Sequence, residues 1–76
     1  MSFQTYLDNI QTKTGKSPAD FRAWGQDEGF STPDGLSPGV RVAAIVAALK
    51  AEFGLGHGHA MAVAALLKGH KREGDA

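Results

Sequence analysis

Cysteine is absent from this chain of 76 residues. No disulfide and no thiolate–zinc site can support the fold, which suits a reducing compartment and predicts a cytoplasmic location. Long hydrophobic runs are absent as well. The longest, Ala60–Leu67, is far too short to span a bilayer, and Met1–Tyr6 lacks the basic start and apolar run of a signal peptide. We therefore expect neither a membrane segment nor secretion.

Net charge is also lacking, since 8 Lys and Arg residues balance 8 Asp and Glu residues. A protein that binds nucleic acid with its whole surface carries an excess of positive charge, so this class is disfavoured and only a local basic patch remains open. The length allows one small domain rather than two. Such a short domain buries a modest share of its surface, so it needs an efficient core or a partner.

The apolar spacing and the capping residues in the first half of the chain predict two helices. The i, i+3, i+4, i+7 spacing of an amphipathic helix face connects Phe3, Tyr6, Leu7 and Ile10. Ser2 is the expected N-cap of this helix, and Gly15 is expected to end it. A second helix should begin at Ser17–Pro18, because serine caps helices and proline fits their first position. Gly25 weakens this second helix, and Gly29 should close it.

The second half predicts two more helices after a loop over residues 30–38. Ser37–Pro38 repeats the cap-plus-proline start, and an apolar stripe follows at Val42, Ile45, Val46, Leu49 and Phe53. Gly54 should end this third helix with a positive φ, and Leu55 should fold back onto it in a Schellman motif. A fourth helix starts near Gly58 and carries its core face on Ala60, Val63, Ala64 and Leu67.

No segment shows the alternation of a strand. The prediction is an all-α, compact single domain over residues 1–70, with four short helices of which the last two form an Ala-rich helical hairpin. Residues 71–76 are expected to be a frayed C-terminal tail.

Two segments resemble a known family. Residues 6–21, YLDNIQTKTGKSPADF, and residues 49–60, LKAEFGLGHGHA, resemble a small bacterial family catalogued as domain of unknown function 4287. The resemblance covers roughly residues 2–68. Members often carry a tryptophan where this chain has Ala48, and the loop from Phe30 to Gly39 is longer and richer in Pro and Gly than usual. The family has no established activity, so the resemblance implies no catalytic residues.

The candidate binding site is the turn between the third and fourth helices, formed by Gly54, Gly56, His57, Gly58 and His59. Glycine loses the most backbone freedom on folding, so three in this turn indicate a tight reversal or a close approach to a ligand. With Ala60, the turn resembles a helix-hairpin-helix element, whose backbone N–H groups contact phosphate at a helix N-terminus. Glu52 stands where that pattern has an apolar residue, and the turn holds no Lys or Arg. The alternative, which we favour, is that the glycines only let two helices reverse and pack.

The two histidines of the turn also raise the question of a metal. His57 and His59 are too few for a closed tetrahedral site, and His70 lies roughly 16 Å farther along the helix at 1.5 Å per residue. We therefore predict no metal and no cofactor, and expect the histidines to point outward. No Ser-His-Asp or Cys-His set and no phosphate loop is recognisable, so we predict no catalytic residues and no enzyme.

The apolar run Ala60–Leu67 leaves two alternatives. The fourth helix is either the central one, or it exposes a patch that binds a protein partner or a second copy, formed by Met61, Ala62, Ala65 and Leu66. The sequence thus predicts a protein-interaction or structural accessory domain. The less favoured alternative is weak, sequence-independent nucleic-acid binding through the glycine turn.

Overall fold

The fold is mostly helical and contains one small hairpin of strands. The structure, a computed structural model, describes residues 2–75. Its elements in chain order are α1 (Phe3–Thr14), α2 (Pro18–Asp27), β1 (Ser31–Thr32), β2 (Gly35–Leu36), α3 (Val42–Phe53) and α4 (His57–Lys68).

Side-chain caps start the first two helices where the sequence predicts them. The Ser2 hydroxyl accepts the Thr5 N–H at 3.2 Å. At α2, the Asp20 N–H donates to Ser17 Oγ at 3.2 Å, and the Ser17 N–H donates to Asp20 Oδ2 at 2.9 Å. This reciprocal capping box satisfies two N–H groups that the helix itself cannot pair. The hydrogen bond from the Ser17 backbone is the main reason that the pKa of Asp20 is lowered.

Glycine ends α2, as predicted, and does so in a Schellman motif. Gly29 has a φ of +78° and donates to Gln26 O at 3.1 Å, while the Phe30 N–H donates to Gly25 O at 2.8 Å. The Phe30 ring then lies 5.5 Å from the Trp24 ring, which is the apolar contact that accompanies this motif. The chain therefore leaves α2 in a fixed direction.

The expectation of an all-α fold is wrong in one place, the loop after α2. Ser31 pairs with Leu36 and Thr32 with Gly35 in a two-stranded antiparallel sheet. The Asp34 N–H donates to Thr32 Oγ1 at 3.2 Å, so the threonine stabilises the tight turn between the strands. Two-residue strands are too short to show alternation in sequence, which is why the pattern gave no sign of them.

The start of α3 also differs from the prediction at Ser37–Pro38. The Ser37 N–H donates to Phe30 O at 2.9 Å and extends the hairpin, and the Val40 N–H donates to Ser37 O at 3.2 Å. Gly39 has a φ of +81°, which a helix cannot accommodate, so this segment is a turn. The helix begins only at Val42, after an N-cap at Arg41 that makes no side-chain capping bond.

Helix α4 is the central element of the fold. It packs against α1, α2, α3 and β2, so the central-helix alternative is the one the structure adopts. The largest of the fully buried side chains come from α1, α2, α3 and α4 together: Ile10, Phe21, Ile45, Leu49 and Val63. Trp24 is only partly buried, and its indole packs against Phe30 and Phe53 while its N–H donates to Glu52 at 2.9 Å. Helix α3 lies against α4 across the short turn.

The last described residues, 72–75, form a turn that touches two helices. The Gly74 N–H donates to Gln4 Oε1 at 2.8 Å, and the Gln4 N–H donates to Asp75 O at 3.3 Å. Arg22 on α2 forms an ion pair with Glu73. That residues 71–76 fray in solution stays a prediction. Ala76 lies outside the described residues.

Candidate functional site

The predicted glycine turn reverses the chain through three residues between α3 and α4. Gly54 has a φ of +67°, as predicted, and its N–H donates to Lys50 O at 3.1 Å. This single bond is the αL ending rather than the Schellman motif that the sequence suggested. Leu55 does fold back, because it is only 3% exposed in the core. Gly56 then becomes the N-cap of α4.

The first turn of α4 has no side-chain cap. Gly56 offers no side chain, and the first bond of the helix runs from the Ala60 N–H to Gly56 O at 2.9 Å. Within residues 2–75, no hydrogen bond satisfies the N–H groups of His57, Gly58 and His59. The first turn also carries no acidic side chain. These donors and the helix dipole favour an anion or water at this end.

The two histidines of the turn differ in their surroundings. His57 is exposed, whereas His59 is half-buried and its ring meets the Tyr6 ring of α1 edge-on at 5.7 Å. The expectation that both rings point outward is therefore wrong for His59. His59 ties the turn to α1, and His57 is the ring that a ligand can reach.

Beside His57 an apolar groove runs between α3 and α4, with a volume of about 490 Å³. We call it the α3–α4 groove, and its lining residues are Val42, Ala43, Val46, Ala47, Lys50, His57 and Met61. No carboxylate belongs to this lining, and the side chains of Lys50 and His57 bring the only polar groups. The lining of the groove is thus mostly apolar, with one lysine and one histidine among its side chains.

The predicted interface patch on α4 is only partly accessible. Met61 is 41% exposed and Ala65 is half-buried, but Ala62 and Leu66 are 7% and 2% exposed and belong to the core. The four residues cannot form one exposed patch because α4 is covered on several sides. The sequence analysis did not predict that α3 forms one wall of the accessible surface. Ala43 and Ala47 of α3 nevertheless stand one helical turn apart, beside the apolar stripe predicted for that helix.

A second, polar pocket lies at the opposite end of α4, with a volume of about 410 Å³. Arg22 lines it, and both arms of its guanidinium donate to the Glu73 carboxylate, from Nη1 to Oε2 at 2.8 Å and from Nη2 to Oε1 at 2.6 Å. These hydrogen bonds lower the pKa of Glu73 to about 2 and raise that of Arg22. Nothing in the sequence pointed to this pair, whose members stand 51 positions apart.

The described residues bring together no group of three or more His, Cys, Asp and Glu side chains that could hold a metal ion. None of the helices described within residues 2–75 has the length and apolar character needed to traverse a bilayer.

These features define a small, mostly helical domain with an apolar groove at one end of its central helix and a polar pocket at the other. The model of the family described as domain of unknown function (DUF4287) matches residues 2–69. The chain belongs to this family, and the resemblance of its two glycine-containing segments is thereby confirmed. No curated protein and no solved structure matches the chain.

Proposed function

We propose that this domain is a protein-interaction module without catalytic activity of its own, and that it binds an amphipathic, acidic helix of a partner in the α3–α4 groove. The observation that carries the proposal is the exposed Met61 side chain beside an apolar groove whose rim carries Lys50 and His57. Grooves between two helices are a common docking surface for a third helix. Methionine suits such surfaces because its unbranched side chain adapts to its partner.

The charge of the groove lining determines which kind of partner helix can bind. The lining contains Lys50 and His57 and no carboxylate, so an acidic side chain on the incoming helix finds a complement and a basic one does not. Apolar side chains at i and i+3 or i+4 of that helix would fill the space between Val46 and Met61. The shape and the charge of the groove thus support one occupant.

A peptide selection tests this proposal directly. The full chain is screened against a random helical peptide library, and we expect the selected peptides to be acidic and amphipathic. Met61→Ala should weaken their binding through lost apolar contact, by about 1 to 2 kcal/mol. Lys50→Glu should weaken it through charge reversal, whereas Lys13→Glu on the exposed end of α1 should leave it unchanged.

Other outcomes of the selection would overturn the assignment. Peptides that tolerate both Met61→Ala and Lys50→Glu would place the binding surface elsewhere. Sedimentation of the free chain as a dimer that Met61→Ala dissolves would identify a second copy, rather than a partner helix, as the occupant.

The alternative function, weak sequence-independent nucleic-acid binding, is supported by the three N–H groups without partners at the start of α4. The zero net charge opposes it. Fluorescence anisotropy with a labelled duplex tests it, because phosphate binding falls steeply with salt concentration. His57→Ala is the variant to compare, since His59→Ala also removes the Tyr6 contact and would confuse binding with stability.

A further inference from the structure

The two walls of the α3–α4 groove differ in the size of their side chains. Helix α4 contributes the larger ones, His57 and Met61, and the Met61 side chain is 41% exposed. Helix α3 contributes Val46, which is 7% exposed and lies at the base of the groove. The rest of its apolar wall includes two exposed alanines, Ala43 and Ala47. The groove is therefore bounded by large side chains on the α4 side and left open on the α3 side.

Helix geometry places the two alanines on one line with Lys50. Ala43, Ala47 and Lys50 follow the i, i+4, i+7 spacing, so they share one face of α3. Packed helices lie about 8–10 Å apart, and the side chains at the contact set the distance. Because an alanine side chain ends at Cβ, a partner helix can approach α3 closely along this face.

The volume of the groove determines what the partner must bring. Packed layers interdigitate when large side chains on one element face small ones on the other, and well-packed contacts leave few voids. The groove has a volume of about 490 Å³, and its two alanines fill little of it. A close-fitting partner therefore needs a large apolar side chain at this point, such as the aromatic anchors that dominate many interfaces.

Lys50 sets the position of the acidic residue relative to this anchor. Three positions separate Ala47 from Lys50, which is about 4.5 Å along the axis at 1.5 Å per residue. A partner helix that runs along the groove has the same rise. Its acidic side chain therefore reaches Lys50 from a position three or four residues away from the anchor.

We infer that the groove selects its partner helix by one large apolar side chain, aromatic or leucine-like, which packs against Ala43 and Ala47, with an acidic side chain one helical turn away at Lys50. Ala47 is then the residue that determines specificity, because its small size admits the anchor. This inference rests on the proposed function and adds to it the motif that the partner carries.

Filling the groove with a side chain of the protein itself tests the inference. The probes are the helical peptides selected on the unaltered chain, and their binding is measured by fluorescence anisotropy. Ala47→Leu should weaken binding at least about ten-fold, because the added side chain overpacks the contact with the anchor. The variant should fold, since position 47 is exposed and leucine is a good helix former. Ala44→Leu is the matched control, because Ala44 is exposed on the same helix and lies outside the groove lining.

A second selection, on the Ala47→Leu chain, provides the reciprocal test. Peptides selected on the unaltered chain should share one large apolar residue with an acidic residue three or four positions away. Peptides selected on Ala47→Leu should carry a small residue at the anchor position instead. Circular dichroism of both leucine variants reports whether each one is folded.

The outcomes separate this inference from the proposed function. If no selected peptide depends on Met61 and Lys50, the proposed function is wrong and the inference falls with it. If such peptides are found but bind Ala47→Leu as tightly as Ala44→Leu, the proposed function stands and the inference is overturned. Selected peptides without a shared large residue, or with acidic residues at no fixed spacing from it, also overturn the inference.

Discussion

Gly25 lies in the middle of α2, where an alanine would normally stabilise a helix by about 1 kcal/mol. In this protein we expect the reverse. A Cβ at this position would lie 2.6 Å from Ser31 Oγ and 3.0 Å from both methyl groups of Leu67. Both neighbours are buried, so neither moves away without disturbing the core. The glycine is present because α2 approaches β1 and α4 too closely for any side chain.

The magnitude follows from two opposing contributions. Overpacking a core of this kind costs about 1–3 kcal/mol, and the gain in helix propensity offsets about 1 kcal/mol of it. Gly25→Ala should therefore lower the free energy of unfolding by about 1 kcal/mol. In a domain of this size that shift lowers Tm by about 4–8 °C, which thermal unfolding followed by circular dichroism measures easily.

Gly58→Ala is the control for this experiment. Gly58 lies in the first turn of α4, its φ is not positive, and a Cβ there would meet nothing within 4 Å. This variant should raise the free energy of unfolding by up to about 1 kcal/mol. If Gly25→Ala stabilises the protein as Gly58→Ala does, the close approach of α2 to its neighbours is refuted. Ser31→Ala should remove part of the cost of Gly25→Ala, because it deletes the nearest atom.

Two further predictions concern the turn and the C-terminal segment. Gly54→Ala should lower the free energy of unfolding by about 1 kcal/mol through backbone strain alone, because φ is +67° and the added Cβ meets nothing; an unchanged Tm would contradict it. The hydrogen bonds from Arg22 lower the pKa of Glu73 from its ordinary value of 4.5 to about 2 in the folded chain, so the ion pair stabilises the fold above pH 4.5 and this contribution is lost as the pH falls towards 2. Because the pair is exposed, the loss is limited to about 1 kcal/mol, and urea unfolding at pH 7 and pH 2.5 should show a smaller drop for Glu73→Gln than for the unaltered chain.

The surroundings of the candidate site residues were the hardest to predict, and the two histidines show why. Their place at a helix N-terminus is a local property and follows from the sequence, although both lie in the first turn of α4 rather than in the connecting turn. Whether each ring faces solvent depends on α1, because Tyr6 packs edge-on against His59 and leaves His57 free. A sequence pattern carries no information on that choice.

The sequence by itself determined the local structure of this protein, in particular where its helices begin and end. The caps at Ser2 and Ser17 and the endings at Gly29 and Gly54 depend on residues within one or two helical turns, so residue type and spacing are sufficient to locate them. The core face of α4 follows from the same kind of spacing.

Only the tertiary structure decided which surfaces remain open. Central placement of α4 buries Ala62 and Leu66 and leaves Met61 beside a groove that α3 completes. The Arg22–Glu73 pair joins residues 51 positions apart. Such contacts depend on how the helices cross and where the chain returns, and these are set by packing all the elements together rather than by any one of them.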